Sequence, residues 1–193
     1  MDNAVSAGSG TTTVVGRLAL GITLLAFGLA HTEVLDGVSA ADAVSIARYV
    51  GGVALFVAGL LAFRDRDSAS GTAFTVLGAL WFTWAVSVSA SAAGDAPVSA
   101  NAGGLFLLLF ALVALTLTLA GGDQLGQVAY GLLFVSMLLL AIAFFAENEG
   151  LVKVGGWVAV VAGAVAWYGA TAVLAHWPTV LPRRAGGRVA PTG

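Results

Sequence analysis

Cysteine is absent from the 193 residues, which excludes a disulfide, a thiolate nucleophile, a thiolate-held zinc ion and an iron–sulfur cluster. Charge is scarce as well: Asp, Glu, Lys and Arg make up 9% of the chain, against about 25% in an ordinary soluble domain. Residues 68–94, 96–122, 124–146 and 154–182 carry no formal charge at all. With a formal net charge of −2 and no basic patch, the chain offers nothing to nucleic acid. The lone lysine, Lys153, stands at the end of an apolar run, whereas a retinal Schiff base needs a buried one. His31 and His176 fall at opposite ends of such runs and cannot bracket one b-type haem. A proton-driven pump usually shows a carboxylate or histidine chain at mid-depth, and that too is missing. No nucleophile–base pair, metal cluster or phosphate loop can be assembled at one depth, so neither an enzyme nor a cofactor is expected.

What the chain does have is hydrocarbon. It is 59% hydrophobic with a mean hydropathy of +0.97, more apolar surface than a soluble core of this size could hide. A spanning helix needs only about 20 apolar residues to cross roughly 30 Å of hydrocarbon. Charges and Gly/Pro/Asp/Asn punctuation divide the chain into six such segments, near 14–33, 43–63, 70–92, 102–121, 125–146 and 154–176. The fold class expected is an all-α membrane protein, a bundle of six transmembrane helices. Residues 1–13, rich in Ser, Thr, Gly and Ala and without the basic start of a secretory signal, read as a mobile tail. Residues 14–177 read as the membrane domain and 178–193 as a second tail.

Arg17 and Arg48 lie within spans, near the ends, and must snorkel to an interface. An even number of spans puts both termini on one side. Arg17, Arg64, Arg66, Arg183, Arg184 and Arg188 share that side, against Arg48 and Lys153 opposite, so both termini are expected in the cytoplasm and the protein in the plasma membrane. Tyr49, Trp157 and Trp177, near span ends, suit interfacial anchoring. The loops are too short to fold as domains, which leaves function to the bundle.

Two spans carry stripes of small residues. In the third, Gly71, Thr75, Ala79, Thr83, Ser87 and Ser91 recur at every fourth position. In the sixth, Gly155, Ala159 and Gly163 form one row and Ala162, Ala166 and Ala170 another. Small residues let helix backbones approach closely in lipid, and packing suffices to explain the sixth span. In the third, the hydroxyls serve equally well for packing or for lining a narrow polar path. His31 and Glu33, at the outer end of the first span, form either a pH-sensitive mouth or merely hydrated interfacial groups.

From the second span onward the chain resembles the acetate uptake transporter family, also called succinate–acetate permeases. Residues 51–59 (GGVALFVAG) and 71–81 (GTAFTVLGALW) are similar to that family's GG-x-x-Q-x-x-AG and TAFTSYG-x-FW helices. Residues 155–159 (GGWVA) and 179–182 (TVLP) look like its AGW-x-G helix and TVLP tail. The likeness runs over about residues 49–184. The chain departs from the pattern where the family's Asn-Pro-x-Pro-Leu-Gly motif should fall, near residues 14–18, and at Leu55, Ala62 and Leu77, which stand for a Gln, an acidic residue and a Tyr.

The resemblance implies a homo-oligomeric, hexameric ring with a separate pathway and an apolar constriction in each protomer. Carried over residue by residue, the constriction falls on Gly21 or Ile22, Leu77 in the TAFT helix (with Phe74 and Thr75 beside it) and Leu133. Ala166 corresponds to a position associated with substrate size. The function expected is a channel-like transporter for acetate or another small monocarboxylate, carried as the neutral acid or with a proton, along a path lined by Thr75, Thr83 and backbone groups. Membrane lipid, a small solute and further copies of the chain are its expected partners. Two other readings remain open: a channel for urea, short amides or other neutral solutes, and a membrane scaffold or sensor that transports nothing.

Overall fold

The computed structural model describes residues 2–37, 40–93 and 98–177. The expected tail at 178–193 lies outside them, as do parts of the loops after the first and third spans. Six helices are long and apolar enough to cross a membrane. They are α1 (Asp2–Thr32), α2 (Ala40–Ile46 continued by Ala47–Ala54 and Leu55–Arg64), α3 (Ser68–Ala92), α4 (Ala100–Leu119), α5 (Gln124–Phe145) and α6 (Glu149–Leu174). The middle stretch of α2, Ala47–Ala54, is π-helical.

Four helix starts are written in the sequence as side-chain caps. Asp67, Ser99, Asp123 and Asn148 accept hydrogen bonds from the N–H groups of Ser70, Ala102, Gly126 and Leu151 at 3.0, 3.2, 3.0 and 3.0 Å. Each cap satisfies a donor that the first helical turn leaves without a partner. At the other ends, Glu33, Arg66, Glu147 and His176 take φ of 54°, 64°, 49° and 56°, the left-handed turn-off that glycine usually supplies.

The segment read as an N-terminal tail is instead helical from Asp2 onward. Its glycines and threonines are weak helix formers, but here two of the hydroxyls have partners. Thr12 donates to Asp65 at 2.7 Å and Thr13 to Asp67 at 3.3 Å, which ties the start of α1 to the α2–α3 turn. Arg17 reaches Asp123 at the start of α5. These contacts gather the start of α1 and the α2–α3 and α4–α5 connections at one end of the bundle. Glu33 and Lys153 pair at 2.7 Å at the opposite end, as six alternating spans require.

Packing follows the small residues. α1 lies along α6, α2 along α3, α4 along α5 and α5 along α6, whereas α3 and α4 barely touch. An added Cβ at Gly21 would stand 2.8 Å from the Trp167 nitrogen, one at Gly28 2.7 Å from the Gly156 oxygen, and one at Gly163 2.7 Å from the Leu25 nitrogen. The α1–α6 crossing is therefore backbone against backbone, the geometry that holds helices together where lipid supplies no hydrophobic drive. Arg48 snorkels sideways: its guanidinium bonds Ser89 Oγ on the last turns of α3.

Candidate functional site

The interior of the bundle is predominantly apolar, with Thr23 and Ser136 its fully buried polar residues among those described. Leu77 and Leu133 are each 0% exposed and belong to one continuous core with Leu20, Leu24, Phe27, Phe74 and Trp81. Two spaces approach this core from opposite sides. At the Glu33–Lys153 end, termed the outer end for reference, a cleft of about 320 Å³ opens between α3 and α4, with Trp84, Ser87, Val88, Ser91, Phe106 and Leu107 among its walls. At the Arg17–Asp123 end, termed the inner end for reference, a space of about 10 Å³ lies among Arg17, Leu20, Ala129, Tyr130 and Ala166, room for one water. Neither is lined by Leu77 or Leu133. Neither space therefore reaches the two leucines expected along the route, whose side chains are fully buried.

On α1, the two residues expected beside these leucines lie elsewhere. Gly21 faces the Trp167 backbone across the α1–α6 crossing, and Ile22 is 43% exposed on the outside of the protomer. Leu20, 2% exposed, shares the core with Leu77 and Leu133, as Leu24 and Phe27 do, and also walls the inner space. A one-residue error in register turns a helix by about 100°, enough to exchange an inward face for an outward one. The sequence held the correcting signal: Leu20, Leu24 and Phe27 recur at i, i+4 and i+7, the spacing of a single helical face.

The hydroxyl stripe of α3 does not line one path. Four residues advance a helix by slightly more than a turn, so the row rotates by about 40° at each step. Gly71 packs on Phe63, and the Thr75 Oγ1 is buried against Gly59 of α2. Thr83 faces outward and donates to the Ala79 carbonyl at 2.9 Å. Only Ser87 and Ser91 reach the outer cleft, each also bonded four residues back, at 2.9 and 3.0 Å. Phe74, 1% exposed, packs on Gly16 of α1. Ala166, 5% exposed, does face the inner space.

His31 and Glu33 are turned to different neighbours. Glu33 pairs with Lys153, while His31 Nδ1 donates to the Phe27 carbonyl at 2.7 Å and its ring rests on Phe27 with centroids 4.2 Å apart. The carbonyl bond fixes the proton on Nδ1. Below it, Phe27, Trp81, Trp84, Phe106 and Phe110 form an edge-to-face aromatic cluster between the outer cleft and the leucines. This cluster, and the buried Ser136 on α5, escaped the sequence reading, because aromatic and serine residues in an apolar run do not announce which face they occupy.

The chain matches the family model described as the GPR1/FUN34/yaaH family over residues 3–180. It is 31% identical over 161 residues to the succinate-acetate/proton symporter SatP of Escherichia coli (strain K12), covering 80% of this chain and 82% of that protein. It is 30% identical over 171 residues to the glyoxylate pathway regulator of Yarrowia lipolytica, covering 84% of this chain; it spans 63% of the length of that relative, somewhat under two thirds. The solved structure of the bacterial acetate channel SatP matches with a TM-score of 0.78 and 26% identity, over 94% of this chain and 98% of that one. Six spanning helices with this packing, matched over nearly their whole length, place the chain in the GPR1/FUN34/yaaH family.

Proposed function

We propose that the protein carries acetate, or another small monocarboxylate, through each protomer, as the neutral acid or together with a proton. The observation that supports this reading is the burial of Leu20, Leu77 and Leu133 in one apolar core, each at most 2% exposed, to which we assign the constriction. An ion stripped of water among such groups is destabilised by many kcal/mol, whereas a neutral acid with one donor and its acceptors loses only a few. Passage past the constriction then requires the leucines to swing aside, and selection is by size and polarity. The likeness to proteins named as an acetate channel and a succinate-acetate/proton symporter supports the same cargo class.

The arrangement proposed is a homohexamer in the plasma membrane with both termini cytoplasmic. Arg17, Arg64 and Arg66 at the inner end support that orientation. The test is uptake of labelled acetate into proteoliposomes over a range of external pH, with urea and acetamide as comparison solutes. Uptake above that of empty vesicles for acetate, and not for the amides, is expected. Transport of the amides alone would assign the pore to neutral solutes, and no flux of any solute would remove the transport reading.

A further inference from the structure

Trp81 holds a donor that no described residue uses. Its side chain is 0% exposed, yet Nε1 has no hydrogen-bond partner among the described residues. Buried donors without acceptors are rare in folded proteins and call for an explanation at each occurrence. The position of this one supplies it. Leu77, Trp81, Trp84 and Val88 stand at i, i+4, i+7 and i+11 on α3, a single helical face. The outer two wall the cleft and the innermost is in the constriction. Trp81 lies between them, about 6 Å along the helix axis from Leu77. Its ring is set at 5.1 Å from Phe27, 5.2 Å from Phe110 and 6.1 Å from Trp84, all edge-to-face. Hydrocarbon faces surround one N–H group in packed core, one position along that helical face beyond the wall of the cleft, so a solute reaches it only when neighbouring rings move aside.

We propose that the Trp81 Nε1–H group is the hydrogen-bond donor that takes up the solute's carboxyl oxygen between the outer cleft and the leucine constriction. The assignment rests on the transport reading and names the residue that positions the cargo. An indole N–H donates and cannot accept, so it favours solutes that present an oxygen lone pair. Because it carries no charge, it places no demand that the solute be ionised. The aromatic faces take the methyl end.

The experiment is titration of the purified protein in detergent with acetate, observed through the indole ¹⁵N–H signals of its five tryptophans, beside proteoliposome uptake by wild type and Trp81→Phe. Trp81 is identified by the signal lost in Trp81→Phe, or, should that variant not fold, as the signal best protected from a water-soluble paramagnetic quencher. A saturable shift of that signal with acetate, absent with equal sodium chloride, is expected. In Trp81→Phe the acetate concentration giving half-maximal uptake should rise roughly three- to ten-fold, the loss of one hydrogen bond, with the maximal rate less affected. Wild-type protein that carries acetate while its Trp81 signal stays unmoved would overturn the assignment and leave the transport reading intact. Wild-type protein that moves no acetate would overturn the transport reading.

Discussion

Ser136 Oγ on α5 donates to the Gly155 carbonyl oxygen on α6 at 2.8 Å, in a site where Ser136 is 0% exposed. Gly155 leaves space there for Leu140, whose Cγ would be 2.8 Å from an added Cβ. Polar and close-packed contact thus coincide at one point of the α5–α6 seam.

Ser136→Ala should lower the stability of the detergent-solubilised protein by about 0.5–1.5 kcal/mol, the range for a buried interhelical bond in a membrane protein. Thermal unfolding followed by circular dichroism reads this out. A loss far above that range would mean that Ser136 holds more than the Gly155 carbonyl.

The α1–α6 crossing should be intolerant of side chains. At Gly163 a Cβ meets backbone at 2.7 Å, and backbone cannot move aside cheaply. Gly163→Val is therefore expected to destabilise by at least about 1–3 kcal/mol, the overpacking range. Gly131, whose nearest neighbour would be the Thr118 methyl at 3.6 Å, is the control. Gly131→Ala should be neutral or stabilising by up to about 1 kcal/mol, since alanine is the better helix former.

Acid should act on the α2–α3 turn. Burial by itself would raise the Asp67 carboxyl, but hydrogen bonds from Ser70 and Thr13, with the charge of Arg17, outweigh it and hold the carboxyl below the usual carboxylate range. A folded-state value below the unfolded one gives stability that is full above the unfolded value, near pH ~4, and lost as pH falls through the folded one. Asp67→Asn keeps a capping oxygen without the titration. Its melting temperature should fall less than that of wild type as pH drops below ~4; equal falls would place the acid-sensitive group elsewhere.

His31 and Glu33 should not act together as a pH-sensitive mouth. Glu33 is engaged by Lys153 and His31 by the Phe27 carbonyl, so the two do not act as a pair. Glu33→Gln should leave the uptake–pH profile in place, with the profile following the protonation of the solute. A displaced profile in Glu33→Gln would restore the pH-sensitive mouth.

The six spans were readable because hydrocarbon runs of the necessary length, and the charges and Gly/Pro/Asp/Asn punctuation between them, are local signals. The sixth span's rows of glycine and alanine likewise announced the close contact that α6 makes. What local signals do not fix is rotation about a helix axis. Gly21 and Ile22 stood one and two positions from Leu20, and only the neighbouring α6 backbone shows which of the three looks inward. Thr83 had the composition of a pore residue and lies outside the bundle, because its row winds around α3. Helicity at residues 2–13 was hidden for a different reason. The partners of Thr12 and Thr13 are Asp65 and Asp67, more than fifty positions away.

The most direct test of the account is labelled-acetate uptake by proteoliposomes holding wild type, Leu133→Ala or Ala166→Phe, measured beside empty vesicles as external pH is lowered. Wild-type uptake above the vesicle background is expected, rising as the neutral acid becomes more abundant. Leu133→Ala should admit longer monocarboxylates, since it removes part of the constriction. Ala166→Phe should exclude those first, because it fills the inner space beside Leu20 and Tyr130. Uptake by folded wild type no greater than that of empty vesicles at every pH would contradict the account.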